Sequence, residues 1–259
     1  MLLEVKDLNI SLTSGKSVAE HISFRLGQGE MLSIVGSSGA GKTTICKAIM
    51  GLLGNAYRAD GEILFQGEDL LDLPERKRQT IYGKEICLIM QNPMTAFNPS
   101  IRVGRQLEKA YLLHHGKTPK QEMQRLFAGI LQRLGLEDTQ RILNSYPFTL
   151  SGRMLQRLMI AAALMCQPAL LVADEATTAI DACNRIGLMR ELKSFCKDGM
   201  SVLFVTHDLR SASVSDRILV MDRGRIVEQG KTEQILNTPK EDYTKYLLNA
   251  CRLERREMS

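Results

Sequence analysis

The chain has no tryptophan, and aromatic residues make up only 5% of its 259 positions. So few rings argue against a stacking platform for single-stranded nucleic acid or sugars. The six cysteines (Cys46, Cys87, Cys166, Cys183, Cys196 and Cys251) include no C-x-x-C pair. That removes the usual framework of a zinc site or iron–sulfur cluster and leaves buried, reduced thiols as the expectation. The longest apolar run, Leu158 to Ala173, has 16 residues and is broken by Gln167 and Pro168, whereas a membrane span needs about 20. No signal-peptide core is expected, because Met1-Leu2-Leu3 meets Glu4, Lys6 and Asp7 at once. A dominant charge is missing too: 34 Lys and Arg stand against 29 Asp and Glu, a net +5. A surplus that small requires neither nucleic acid nor an acidic membrane as partner. With 44% apolar and 24% charged residues, the composition is that of a cytosolic globular protein with one large domain or two small ones.

Within this frame the chain alternates between strand and helix patterns. Ile22, Phe24 and Leu26 point one way and Ser23 and Arg25 the other, an antiparallel signature closed by Gly27-Gln28-Gly29. Strands are expected over Met31–Val35 and Glu62–Phe65, and buried parallel strands over Ala169–Ala173 and Val202–Val205. Arg217–Met221 and Arg225–Val227 read as a hairpin through Asp222-Arg223-Gly224. Between these halves, Met123, Leu126, Phe127, Ile130, Leu131 and Leu134 form one apolar helix face. Thr118 is expected as its N-cap, Pro119 at the first helical position, Gln121 in a capping box and Gly135 as C-cap. The expectation is an α/β core interrupted by a helical insertion over about residues 92 to 165.

The chemistry concentrates in two segments. Gly36-Ser37-Ser38-Gly39-Ala40-Gly41-Lys42-Thr43 fits G-x-x-x-x-G-K-[ST], with a strand before and a helix after it. Glycines let the backbone curl so that successive N–H groups converge on phosphate oxygens, and the helix presents its positive end to the same group. Lys42 would bring a mobile charge to the β- and γ-phosphates and Thr43 a hydroxyl to Mg²⁺; Thr44 follows in the same turn. The second segment lies 138 residues beyond Gly36, where an apolar strand ends in Asp174-Glu175. Two carboxylates there would project into the crevice where α/β sheets bind ligands, Asp174 toward a metal and Glu175 toward an attacking water.

These segments, with five others, resemble the ATP-binding subunits of ABC transporters over nearly the full length. Gln91, in Met90-Gln91-Asn92-Pro93, is similar to the Q-loop, and Leu150 to Arg157 to the signature motif, in which Ser151 and Gly152 would meet ATP held by the opposite subunit. Thr178-Ala179-Ile180-Asp181 resembles the D-loop and His207 the switch histidine, while Asp222 to Gly230 matches a family hairpin. Gln91 to Pro99 and the ending Thr238 to Leu248 are similar to the peptide/nickel import group, the latter followed by 11 residues with only Cys251 as cysteine. The resemblance implies an α/β fold of the P-loop NTPase, ABC-transporter ATPase type: a mostly parallel core sheet, an antiparallel N-terminal subdomain and an inserted helical subdomain. It implies one ATP-binding domain over 1–259, with 1–91 and 166–259 as the RecA-like core and 92–165 as the helical subdomain.

The function implied is ATP hydrolysis energising import of a small solute, with nickel, free or chelated, favoured by the subfamily and a dipeptide, oligopeptide or metallophore as the alternative. ATP and Mg²⁺ would be the cofactors, with Glu175 and His207 catalytic and Thr43, Gln91 and Asp174 serving the metal. Partners would be a second ATP-binding subunit of different sequence, two transmembrane permease subunits and a solute-binding protein, at the cytoplasmic face of the membrane; nucleic acid is not expected. A non-transport ABC ATPase is the rival, weakened because the chain holds one compact cassette.

Three departures stand out. Arg153 replaces the second signature glycine, and either crowds the phosphate or offers it a guanidinium. Ala176 replaces the Pro that usually follows Asp-Glu, and Leu12 to Val18 contains no aromatic for the adenine. His114-His115 reads as a surface pair, and the 13 methionines, Met154, Met159 and Met165 among them, as core filling or a permease-facing surface.

Overall fold

A computed structural model describes residues 1–89, 92–175 and 182–257. The elements run β1 (Leu3–Leu12), β2 (Ser17–Leu26), β3 (Met31–Gly36), α1 (Lys42–Ile49), β4 (Tyr57–Phe65), β5 (Glu68–Asp69), α2 (Glu75–Ile81) and β6 (Ile86–Ile89). Four helices follow, α3 (Val103–His115), α4 (Lys120–Arg133), α5 (Thr139–Asn144) and α6 (Gly152–Met165). The chain then alternates through β7 (Leu170–Asp174), α7 (Ala182–Cys196), β8 (Ser201–Thr206), α8 (Leu209–Ala212), β9 (Arg217–Asp222) and β10 (Arg225–Lys231). It closes with α9 (Thr232–Asn237) and α10 (Asp242–Glu257).

Two sheets organise these elements. The first is antiparallel, in the order β2-β1-β4-β5. The second has the order β10-β9-β3-β8-β7-β6, parallel throughout except for the β9–β10 hairpin. Every residue of β3 and β8 is buried, which explains why these strands read as continuous apolar runs and not as alternation. The space between the sheets is filled by Leu3, Ile10, Ile22 and Ile63 from one and Leu32, Leu170 and Leu203 from the other, with Ile45 and Ile49 of α1. A second core joins α3, α4 and α6 to the other face of the parallel sheet through Leu107, Phe127, Leu158 and Phe204. A third lies beneath α8 and α10 and contains Val35, Leu209, Ile218 and Ile235.

Several local expectations shift. In α4 the apolar face is buried as read, through Met123, Phe127, Ile130, Leu131 and Leu134. The cap, however, is Pro119 and not Thr118: the Pro119 carbonyl accepts from the amides of Glu122 (3.0 Å) and Met123 (3.2 Å), without a side-chain cap. Pro119 is still extended at ψ 130°, so it stands one step outside the helix and the capping box does not form. At the other end Leu134 is the cap, and Gly135, at φ +66°, lies one residue beyond it. The bonds Gly135 N to Gln132 O and Leu136 N to Leu131 O make a Schellman motif, which needs that left-handed residue. Strand β4 begins at Tyr57, five residues before the alternation is legible, because its early side chains are mostly exposed.

The histidine pair lies at the surface but is half-buried. His115 stacks on Tyr111 with centroids 4.3 Å apart, and the His114 imidazole sits against Gly83. Burial, and then the neighbouring His115 and Lys84, hold His114 below its ordinary pKa. Met159 and Met165 are buried in the helical core. Cys46, Cys87, Cys166 and Cys196 are buried free thiols; burial pushes Cys46 well up and Cys196 to about 11.

Candidate nucleotide site

The cradle grows out of β3. Gly36 ends the strand opposite Met221, and a Cβ there would lie 2.2 Å from the Met221 carbonyl oxygen. Gly41 at φ +95° opens α1, and a Cβ there would meet the Val18 carbonyl at 2.8 Å. Only glycine lets the loop pass between these two backbones. Lys42 is 5% exposed and donates through Nζ to the carbonyls of Gly36 (2.8 Å) and Ser37 (2.8 Å). Burial lowers its pKa, opposed by the carboxylates of Glu175 and Asp174.

The two distant segments meet as the spacing suggests. Thr43 Oγ1 donates to Asp174 Oδ1 at 3.1 Å. Burial raises the Asp174 pKa; the Thr43 bond works against this and the Glu175 charge adds to it. A hydroxyl and a carboxylate side by side are hard oxygen donors, the set that suits Mg²⁺. Ser38, Gly39, Gly41, Lys42, Thr43 and Thr44 line a cleft of about 580 Å³ together with Asp174 and Glu175. That volume is within the range of small-molecule sites. Ala40 is buried behind the loop, its amide bonded to the Ser37 carbonyl. The apolar lining is aliphatic, from Val18, Leu52 and Leu88.

Glu175 takes a left-handed φ of +48° while its amide donates to the Val205 carbonyl at 2.9 Å. A non-glycine residue there carries strain of order 1 kcal/mol. The turn brings Glu175 Oε1 to 3.3 Å from His207 Nδ1, at the end of the neighbouring strand β8. Gln91 and Asp181 lie outside the described residues, as do Met90, Ala176 and Thr178 to Ile180.

Ser151 is the N-cap of α6, its Oγ accepting from the Met154 amide at 3.3 Å. Ser151, Gly152 and Arg153 are exposed and line no part of the cleft, and a Cβ on Gly152 would meet nothing within 4 Å. Two further residues beside the site escaped the sequence reading. Asp208 caps α8, accepting from the amides of Arg210 (2.9 Å) and Ser211 (3.3 Å), from Ser211 Oγ (2.7 Å) and from Arg185 Nη1 on α7 (3.1 Å). Its position just before a helix was a legible cap signal; the Arg185 contact had none.

Residues 19–178 of the chain match the family model described as ABC transporter. The chain is 39% identical over 251 residues to the metal-staphylopine import system ATP-binding protein of Staphylococcus aureus, covering 96% of this chain and 92% of that one. It is 42% identical to the oligopeptide transport ATP-binding protein of Bacillus subtilis (95% and 71% covered). It is 40% identical to the dipeptide transport ATP-binding protein of Haemophilus influenzae (96% and 77%). Among solved structures, a dimeric post-hydrolysis ATP-binding cassette bound to ADP and phosphate superimposes with a TM-score of 0.78 at 26% identity, covering 89% of this chain and 99% of that one. No helix among the described residues is long and apolar enough to cross a membrane. With this fold and these relatives, the chain belongs to the ABC transporter family as an ATPase whose hydrolysis of ATP is coupled to transport.

Proposed function

We propose that this ATPase energises import of nickel, free or chelated, through partner permeases. Support comes from the ending Thr238 to Leu248 and from the relatives named for import of metal–staphylopine, dipeptide and oligopeptide. The metal–staphylopine relative favours the chelated form and keeps a metallophore as the second reading; a peptide is the third. Nickel as such rests on the resemblance to the peptide/nickel group.

The observation that carries the mechanism is the convergence of Thr43 with Asp174 at 3.1 Å and Glu175 with His207 at 3.3 Å around one cleft. In this reading the loop amides and Lys42 bind the β- and γ-phosphates. The oxygens of Thr43 and Asp174, with Gln91, would hold Mg²⁺, which supplies positive charge against the phosphates. Glu175 accepts a hydrogen bond from the attacking water and aligns it, and His207 orients Glu175 and senses the γ-phosphate. Ser151 and Gly152 of the exposed α6 end serve ATP held by the opposite subunit, and Asp181 would serve nucleotide binding as well. The helical insertion 92–165 carries that end as a unit. A second ATP-binding chain of different sequence confines Arg153 to one of two sites, whereas a symmetric pair would place it in both. Two permeases attach the pair to the cytoplasmic face of the membrane, and a solute-binding protein delivers the cargo.

The test is uptake by the assembled transporter, comparing radiolabelled nickel, a nickel–metallophore complex and a dipeptide, with wild-type chain and Glu175→Gln. Glu175-dependent nickel uptake supports the proposal. Uptake of peptide alone would refute it.

A further inference from the structure

The ATP cradle touches the far end of the chain. Ser37 N–H donates to the Tyr243 hydroxyl of α10 at 3.1 Å, across 206 residues of sequence. The entry to that helix is fastened by the Glu228 carboxylate on β10, which accepts from the amides of Lys240 (2.8 Å) and Glu241 (3.2 Å). Further along, Arg210 Nη2 donates to the Cys251 carbonyl at 2.5 Å. Arg210 belongs to α8, the helix capped by Asp208 immediately after His207. Between the two tethers, Tyr243, Leu247 and Leu248 pack on a core that includes Val35 and Leu209. Val35 is the residue before Gly36, and Leu209 is two beyond His207. One helix therefore holds both the stem of the phosphate loop and the turn that carries His207.

The hydroxyl has a separate role from the ring. A phenylalanine would pack the same half-buried position equally well, so the packing does not call for an oxygen there. What the oxygen does is satisfy the first loop amide after Gly36 and fix the peptide plane from which the rest of the loop turns. We propose that α10 is a brace joining the ATP cradle to the His207 turn, with Tyr243 a positioning residue for the phosphate loop. The proposal rests on the cradle being the ATP site.

The test is Tyr243→Phe in the full-length chain. Binding of a fluorescent ATP analogue is measured by titration, the kcat and KM of ATP hydrolysis by assay, loop opening by hydrogen exchange over residues 36–44, and stability by thermal melting. Loss of one hydrogen bond should weaken binding by roughly 3- to 10-fold. KM should rise by the same factor with kcat nearly unchanged, and exchange should quicken in the loop but not in α10. The melting temperature should stay within about 2 °C of wild type. Wild-type affinity and loop exchange in the variant would overturn the proposal. So would a lower melting temperature with faster exchange throughout α10 and no selective loss of nucleotide, since that is the outcome of packing alone. A wild-type chain that binds no nucleotide would instead overturn the ATP-site assignment beneath it.

Discussion

Replacing Asp208 with alanine removes four bonds from one carboxylate, and the structure allows the cost to be built up. As N-cap of α8, Asp208 satisfies the Arg210 and Ser211 amides, and loss of such a cap costs about 1 kcal/mol. Ser211 is fully buried, and its hydroxyl loses a charged acceptor at 2.7 Å, worth about another 1 kcal/mol. Arg185 loses its ion pair with Asp208 while its side chain is 21% exposed. Truncating one member of a buried pair costs about 3–5 kcal/mol; access to water reduces this here to about 1 kcal/mol. The expected sum is about 3 kcal/mol, read as a lower urea midpoint at unchanged slope. ATP turnover should fall with it, because the cap fixes the turn next to His207. The double variant Asp208→Ala/Arg185→Met should recover about 1 kcal/mol relative to additivity. Burial pushes the Asp208 pKa up, but the bonds from Ser211, Arg210 and Arg185 outweigh it and hold the carboxyl below its ordinary range. Its contribution is therefore complete above the unfolded pKa of about 4 and is lost as pH falls through the lower folded value. The gap between wild type and variant should narrow on that acid limb. A loss below about 1 kcal/mol at neutral pH, or strict additivity with Arg185, would refute the reasoning.

Three other outcomes are expected. Glu175→Gln should keep ATP affinity and lower turnover by about 100-fold or more; equilibrium binding and single-turnover hydrolysis separate the two steps, and normal turnover would remove Glu175 from its role. Gly36→Ala should destabilise the chain by about 3 kcal/mol and abolish nucleotide binding, because the new Cβ would lie 2.2 Å from the Met221 carbonyl; thermal melting and binding check it. Ser151→Ala should cost about 1 kcal/mol through loss of the α6 cap, seen in urea unfolding, and should lower ATPase activity only where a second ATP-binding subunit is present.

Much of this molecule is determined by sequence alone, wherever the physics is local. The Gly36–Thr43 loop declares itself because the glycines, the lysine and the hydroxyl act within one turn of chain, and Gly36 and Gly41 prove to be backbone-contact positions. The α4 face and the β9–β10 hairpin are equally legible, since periodicity and turn chemistry report burial over a few residues. Even there, the cap moved from Thr118 to Pro119, because which carbonyl accepts the first helical bonds depends on how the chain enters the helix. Four-residue β6 left no pattern, being too short to show a period. Tertiary structure alone decided who stands beside whom. Periodicity says that β3, β7, β8 and β9 are buried, but not that they lie in the order β9-β3-β8-β7. That order sets Asp174 against Thr43 and His207 against Glu175. Arg185 on Asp208 and Tyr243 on Ser37 follow from helices α7 and α10 packing beside that sheet. Such pairs rest on single hydrogen bonds between residues 23 and 206 positions apart, and no local pattern encodes them, because the energy that selects them comes from the packing of whole elements.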